Sequence, residues 1–517
     1  MIVRNEAKLL PRFLDHVQGL WDELVVVDTG SEDDTVQLIE DAGGRVLHHP
    51  WQDDFATPRN VGLAHARGEW ILILDPDEFV SPELHDEIRH TIRNPDVGAA
   101  TLNVSSQLSH GHVRQAALLR LFRNVPEIQF RFPIHEELWS SVNPYLSRNG
   151  LKLSRLQGLV DHVGYERERA AERRKKERDL RILKRCVDEN PQDLYAYYKL
   201  LELARFWDDR PLWKQVARDA ARILEDLPQD TSRAAYFGGE LLVLIAQGLH
   251  PSDEAKALHY VQSRISLVPP SAEVQHYIGQ VQERAGQLDL ATTAYRQTME
   301  VSTPQLDPQT TRIRPLMGLC RIAITRGDRH SALTYCQEAL AAAPRDPEAL
   351  LALCMLQFEN GATAAASAVQ AHADRYGPSV ELWLAYGDIA MVNKNADQAI
   401  RGYEAAFRLS SEARHCLNLA KALVMRGDWQ RAHELLSCIT DNLPEAGIGL
   451  LVCDMCLDQS SNLLLDLDLD KANSLLREWV VTALIGADNL ALGNLCRRAP
   501  TVGHVFPWLT EVLDRVS

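Results

Sequence analysis

Small residues recur through the last two thirds of the chain at a spacing that stacked pairs of helices satisfy. Ala332, Ala366, Ala399 and Ala432 stand at intervals of 34, 33 and 33 residues, and Ala291 lies one longer interval earlier. Twelve positions before each stands another small residue: Gly279, Cys320, Cys354, Gly387 and Ala420. Tyr295 and Tyr403 follow their alanines at one fixed offset, Gly286, Gly327, Gly361 and Gly427 fall where paired helices must turn, and Pro344 closes one unit. A unit of this length cannot bury an apolar face alone, so its neighbours must cover it.

This register resembles the tetratricopeptide repeat, in which small residues let two antiparallel helices approach and each pair stacks on the next. An all-α repeat solenoid is expected over residues 191–440, and a further helical region over 441–517. Residues 190–270 are helical in pattern as well, but outside a clear register.

The first 165 residues read differently. Short β-branched runs alternate with helical stretches, the pattern of an α/β fold with a mostly parallel, Rossmann-like sheet. Leu24–Asp28 (LVVVD) and Trp70–Asp75 (WILILD) are continuous apolar runs ending in Asp, as in buried strands. A helix is expected over Ser31–Ala42 with Ser31 as N-cap, and another over Pro58–Ala66 with Pro58 at its first position. Only Met1, Ile2 and Val3 precede the polar Arg4-Asn5-Glu6, so the opening strand is expected to be a stub, or the recorded start lies downstream of the real one. Residues 166–190 form a charged connecting helix. Over 166–185 it carries ten basic and five acidic side chains, as a solvated linker or a phosphate-facing rim would.

A net charge of −16 argues against a polyanion binder, so nucleic acid is not an expected partner. No run of about 18 uncharged apolar residues occurs, and no integral membrane segment is expected. These features and the amino-terminal sequence read as a soluble, cytoplasmic protein. All nine cysteines lie from Cys186 onward without a disulfide or zinc spacing, and the lone CxxC of Cys453 and Cys456 reads as buried helix cysteines.

The chemistry-bearing residues sit at the carboxyl ends of the two apolar strands, where open α/β sheets bind ligands. Asp75-Pro76-Asp77 places two hard oxygen donors two residues apart, suited to Mg²⁺ or Mn²⁺ beside a diphosphate, although an acidic turn uses the same letters. Asp28-Thr29-Gly30-Ser31 ends the other strand. A carboxylate there can accept from a nucleobase, Gly30 lets a ligand approach the backbone, and Asp34 follows in the first helical turn.

In order, MIVRNEA, VVVDTGSEDDT, FATPRN, GEWILILDPDE, LRLFRN, IHEEL and DHVGY together resemble a family 2 glycosyltransferase of GT-A fold. The branch they look most like couples this domain to tetratricopeptide repeats, as in the SunS-like transferases of peptide S-glycosylation. The resemblance implies a nucleotide-sugar donor, UDP-linked by preference, and a protein, peptide or glycan acceptor. It implies that Asn5 and Glu6 touch the nucleoside, that Asp28 contacts the base, that Arg59 and Asn60 line the donor site, and that Asp75 and Asp77 hold metal and diphosphate. His162 matches a late histidine that completes metal coordination in GT-A enzymes. An inverting displacement also needs a base, for which Glu136 is the first choice and His135 the second. Many family members carry an ED pair here, where this chain has His135-Glu136-Glu137. Arg120 and Arg123 are candidates to hold phosphate or acceptor charge. The repeats then recruit the acceptor or assemble a homo-oligomer. The alternatives are a repeat-based binding protein with an impaired catalytic domain, and a nucleotidyltransferase, which would more often show a Gly-rich, Lys-bearing loop near the amino terminus.

Overall fold

A computed structural model describes residues 1–107, 113–162, 169–301, 309–440, 443, 445–459, 469–502 and 509. The chain divides into two compact units, Met1–Ala285 with Gln297–Thr311, and Gly286–Arg296 with Arg312–Ser517. The first unit thus continues past the α/β region into the first helices.

The first unit opens with the strands β1 (Ile2–Val3), β2 (Val25–Asp28) and β3 (Arg45–His48), joined by the helices α1 (Leu10–His16) and α2 (Thr35–Asp41). They form a parallel sheet in the order β1-β2-β3, with Asp28 level with His48. The helix α3 (Ala56–His65) leads to β4 (Trp70–Leu72) and β5 (Glu78–Val80), followed by α4 (Pro82–Thr91), β6 (Val97–Gln107), β7 (Val113–Arg123), α5 (Trp139–Asn149) and β8 (Lys152–His162). The second sheet has the order β4-β7-β6-β8-β5. The expected mostly parallel arrangement holds for the first sheet and needs correction for the second, where only β6–β8 is parallel. The eleven-residue strands β6 and β7 pair antiparallel as consecutive strands, needing no crossover helix.

Both faces of this second sheet are covered, which explains the uninterrupted apolar run that starts at Trp70. Successive side chains enter opposite cores: Leu121 packs with Leu74, Leu102 and Phe13, whereas Phe122 packs with Ile71, Ile73 and Val142.

Two expected helix starts shift. The first helix begins at Thr35 rather than Ser31, because the Ser31 hydroxyl accepts from the Asn5 N–H at 3.0 Å instead of capping. The second begins at Ala56, two residues before Pro58, where Asp54 accepts from both the Thr57 N–H and hydroxyl at 2.9 Å. The charged stretch forms α6 (Arg169–Glu189), whose carboxyl-terminal half is packed against the domain rather than solvated on all sides. Its Ile182 and Leu183 are buried, Arg181 pairs with Asp53 at 2.7 Å, and Arg185 donates to the Asp53 carbonyl at 2.8 Å.

The second unit is all-helical among the described residues, built of antiparallel pairs such as Val380–Val392 with Ala396–Leu409. The aligned small residues Ala332, Ala399 and Ala432 are fully buried, but in one unit Ala365, not Ala366, takes the buried place. A methyl group on Gly387 would stand 2.6 Å from the Tyr403 ring, so the glycine makes room for that ring. The turn glycines Gly327, Gly361 and Gly427 all have positive φ; the corresponding turn before Ala396 is made by Lys394 at φ 54°. Cys453 and Cys456 are buried on the helix Glu445–Cys456, and burial pushes the Cys456 thiol up to about 12. No helix of the described residues is long and apolar enough to cross a membrane.

Candidate active site

The turn after β4 is built by its own acids. The Glu78 N–H donates to the Asp75 carbonyl at 3.0 Å, while the Asp75 N–H donates to Glu78 Oε2 at 2.9 Å. Glu78 is only 3 % exposed, and its other oxygen accepts from Arg120 on β7 at 2.6 Å. Burial pushes the Glu78 carboxyl up, against the opposing charge of Arg120. Pairing of β5 with β8 sets Glu78 level with His162, and His162 Nε2 lies 3.0 Å from Asp77 Oδ2. This hydrogen bond raises the His162 pKa above its ordinary value.

Asp75 points elsewhere. Arg59 Nη2 donates to its two oxygens at 3.0 and 3.2 Å, and Arg120 lies 3.7 Å away. Burial works to raise the Asp75 pKa, but the two guanidinium groups outweigh it and hold the carboxyl below the usual range. Arg59 is 8 % exposed and is the node of the network, because its Nε also donates to Glu136 Oε1 at 2.7 Å. Burial opposes its charge too, yet Asp75 and Glu136 hold its pKa above the ordinary value. Such a forked guanidinium between two carboxylates fixes both in orientation as well as charge.

Glu136 reaches Arg59 from a loop of unusual shape. Phe132 and His135 have φ of 68° and 53°, a left-handed conformation that costs non-glycine residues on the order of 1 kcal/mol each. The loop is closed by paired main-chain bonds between Arg131 and Glu137 at 3.0 and 3.1 Å, and by the Phe55 N–H donating to the Pro133 carbonyl at 2.7 Å. The His135 side chain is exposed, and it is the Glu136 side chain that joins the network.

At the carboxyl end of β2, the central strand of the first sheet, Asp28 is 4 % exposed and accepts from the N–H groups of Gly30 and Ser31 at 3.1 and 3.0 Å. It lines a pocket of about 320 Å³ with Arg4, Gly30, His48, His49 and Trp51. Sequence reasoning missed the two histidines and the tryptophan. Their signal was the polar end of a third parallel strand beside Asp28, where His48 Nδ1 comes within 3.5 Å of the carboxylate.

The other expected site residues divide. Asn5 accepts from the Glu32 N–H at 2.8 Å, and the Glu6 N–H donates to Thr35 at 2.8 Å, so both tie the β1 loop to the Asp28 loop. Asp34 is exposed at the α2 N-cap without a capping bond, and Asp33 instead accepts from Thr35 and Ala7. Asn60 spends its amide on the main chain of Phe130, at 2.9 and 2.8 Å. Arg123 lies over the Trp70 ring at 4.4 Å and belongs to the packing. In DHVGY, Asp161 and His162 are in β8, whereas residues 163–165 lie outside the described residues.

Among the described residues no group of three His, Cys, Asp or Glu is arranged to hold a metal. The facing pair Asp77 and His162 offers one oxygen and one imidazole nitrogen, a donor set that suits Mn²⁺ better than the oxygen-preferring Mg²⁺, with a bound diphosphate to supply the other ligands.

An α/β domain with acids at the ends of its strands is thus followed by a long series of helical pairs. Residues 1–138 match the family model described as glycosyl transferase family 2, so the chain opens with a family 2 glycosyltransferase domain. A TPR repeat-containing protein of Synechococcus elongatus is 39 % identical over 202 residues, 39 % of this chain and 50 % of its own length. The SPbeta prophage-derived glycosyltransferase SunS of Bacillus subtilis is 28 % identical over 211 residues, 39 % of this chain and 48 % of its own. An uncharacterized glycosyltransferase of Rickettsia felis is 37 % identical over 90 residues, 17 % of this chain and 31 % of its own. The matches thus span about half the length of the first two relatives.

Proposed function

We propose that this chain moves a sugar from a nucleotide-sugar donor, UDP-linked by resemblance, to an acceptor in a single inverting displacement. One observation carries the reading: Arg59 joins the strand-edge acid Asp75 to Glu136, a carboxylate from a distant loop, beside the Asp77–His162 pair. A diphosphate-facing group and a candidate base are thereby held in one buried network.

The nucleoside enters the pocket around Asp28, where His48, His49 and Trp51 offer ring faces and hydrogen-bond partners. Asp77 and His162 would hold a divalent ion, which when bound neutralises charge on the departing diphosphate. Arg120, fixed by Glu78, adds positive charge on the same side. Glu136 has one oxygen on Arg59, and its second takes the proton of the attacking O–H or S–H group. The helical pairs supply extended surface for a protein or peptide acceptor, or for assembly of several copies.

Calorimetric titration of UDP with and without Mn²⁺ tests the donor half. Binding should require Mn²⁺ and weaken at least ~10-fold in Asp77→Ala, as loss of a charged ligand implies. Equal binding with and without the ion, or an unaffected Asp77→Ala, would sink the metal assignment.

A further inference from the structure

The helix α7 (Leu194–Phe206) lies beyond the α/β domain in sequence but within the same compact unit, and its Tyr195 is buried against the loop that carries Glu136. The Tyr195 ring stacks on Phe132, with centroids 3.8 Å apart and planes 18° apart. Its hydroxyl donates to the His135 carbonyl at 2.6 Å. Both contacts fall on the two residues of this loop that hold left-handed φ.

We propose that Tyr195 is a positioning residue: it latches loop 131–137 in the strained shape that keeps Glu136 on Arg59. The hydroxyl fixes the peptide plane joining His135 to Glu136, so it sets the direction in which the Glu136 side chain leaves the backbone. The ring holds the opposite shoulder of the loop at Phe132. A left-handed conformation at non-glycine residues persists only where surroundings over-determine it, and here one side chain contacts both positions.

Tyr195 is itself held. Its N–H is capped by Asp193 at 2.9 Å, and its ring packs against Tyr198 and Phe237, with Tyr198 bonded to Glu240 at 2.6 Å. The latch therefore rests on the first helices, and motion of α7 would be felt at Glu136. This inference uses the reading of Glu136 as base, but the loop geometry can be measured without it.

The test compares the full chain with Tyr195→Phe, which keeps the stack and loses the hydroxyl, and with Tyr195→Leu, which loses both. Hydrogen exchange is read at the Phe55, Arg131 and Glu137 amides, whose bonds close the loop. Loss of the single hydrogen bond from this side chain to the loop predicts about fivefold faster exchange there in Tyr195→Phe and a larger increase in Tyr195→Leu, with the amides of α7 unchanged. Nucleotide release from a hydrolysed donor is measured alongside. The turnover number should fall in the same order while the donor KM stays within about twofold, since positioning of a base acts on the chemical step. Unchanged exchange at all three amides would overturn the latch whatever the activity. Faster exchange in a chain that releases nucleotide from no donor would leave the latch standing and remove the transferase reading instead. Faster exchange with unchanged turnover would overturn the positioning role.

Discussion

Arg59 concentrates the argument at the scale of single residues, because it is almost fully buried and serves two carboxylates at once. Replacing it by Met takes the counter-charge from Glu136 and leaves Asp75 with only the more distant Arg120. Breaking such a buried pair costs about 3 kcal/mol, so Arg59→Met should lower the urea midpoint clearly as well as abolish donor turnover. Glu136→Gln is the sharper probe, since the amide oxygen still accepts from Arg59. It should leave the thermal midpoint nearly unchanged, yet cut turnover on the order of a hundredfold or more, the usual contribution of a general base. The letters of this site were legible in sequence, but their pairing was not. Asp75 and Asp77 read as a matched pair of ligands, yet one turns to Arg59 and the other to His162. Arg59 and Glu136 stand 77 residues apart, and no local pattern announces a bond over that distance.

At the scale of elements, helix α6 is pinned to the loop before α3 through Asp53, whose pKa is lowered mainly by its hydrogen bond to Arg181. A depressed carboxyl contributes stability above its unfolded value near 4, and that contribution is lost as pH falls through the lower folded value. An ion pair this close to solvent is worth about 0.5 kcal/mol, so in urea denaturation across pH Asp53→Asn should be less stable than its parent by about that amount at neutral pH, with the difference vanishing as pH falls through the folded value. In the repeats, close packing predicts opposite signs for the same exchange. Gly387→Ala drives a methyl into the Tyr403 ring and should destabilise by about 1–3 kcal/mol, whereas Gly493→Ala, exposed on the helix Asn489–Val502 with open space around it, should stabilise by up to about 1 kcal/mol. Chemical denaturation of both variants checks the pair. The repeat period was legible because small residues, turn glycines and bulky partners agree in register. The one-residue slip from Ala366 to Ala365 was not, because adjacent alanines look alike until the buried face of the helix is known.

For the whole molecule, the sequence suggests an α/β domain over residues 1–165, a charged connecting helix over 166–190 and helical repeats from 191. The first compact unit instead runs from Met1 to Ala285 and takes in Gln297–Thr311, with aromatic contacts such as Phe132 on Tyr195 tying its α/β part to its first helices. A chain ending at residue 190 should therefore expose Phe132 and misfold, while one ending at Thr311, which keeps every residue of the first unit, should resist limited proteolysis. The central claim is glycosyl transfer by a site in which Arg59 holds Glu136 beside a metal- and diphosphate-binding turn. Its most direct test is nucleotide release from a panel of nucleotide sugars, with and without Mn²⁺, by the full chain and by Glu136→Gln. Metal-dependent release is expected from at least one donor, reduced on the order of a hundredfold in Glu136→Gln. A folded chain that releases nucleotide from none of them, or a Glu136→Gln chain as active as its parent, would contradict it.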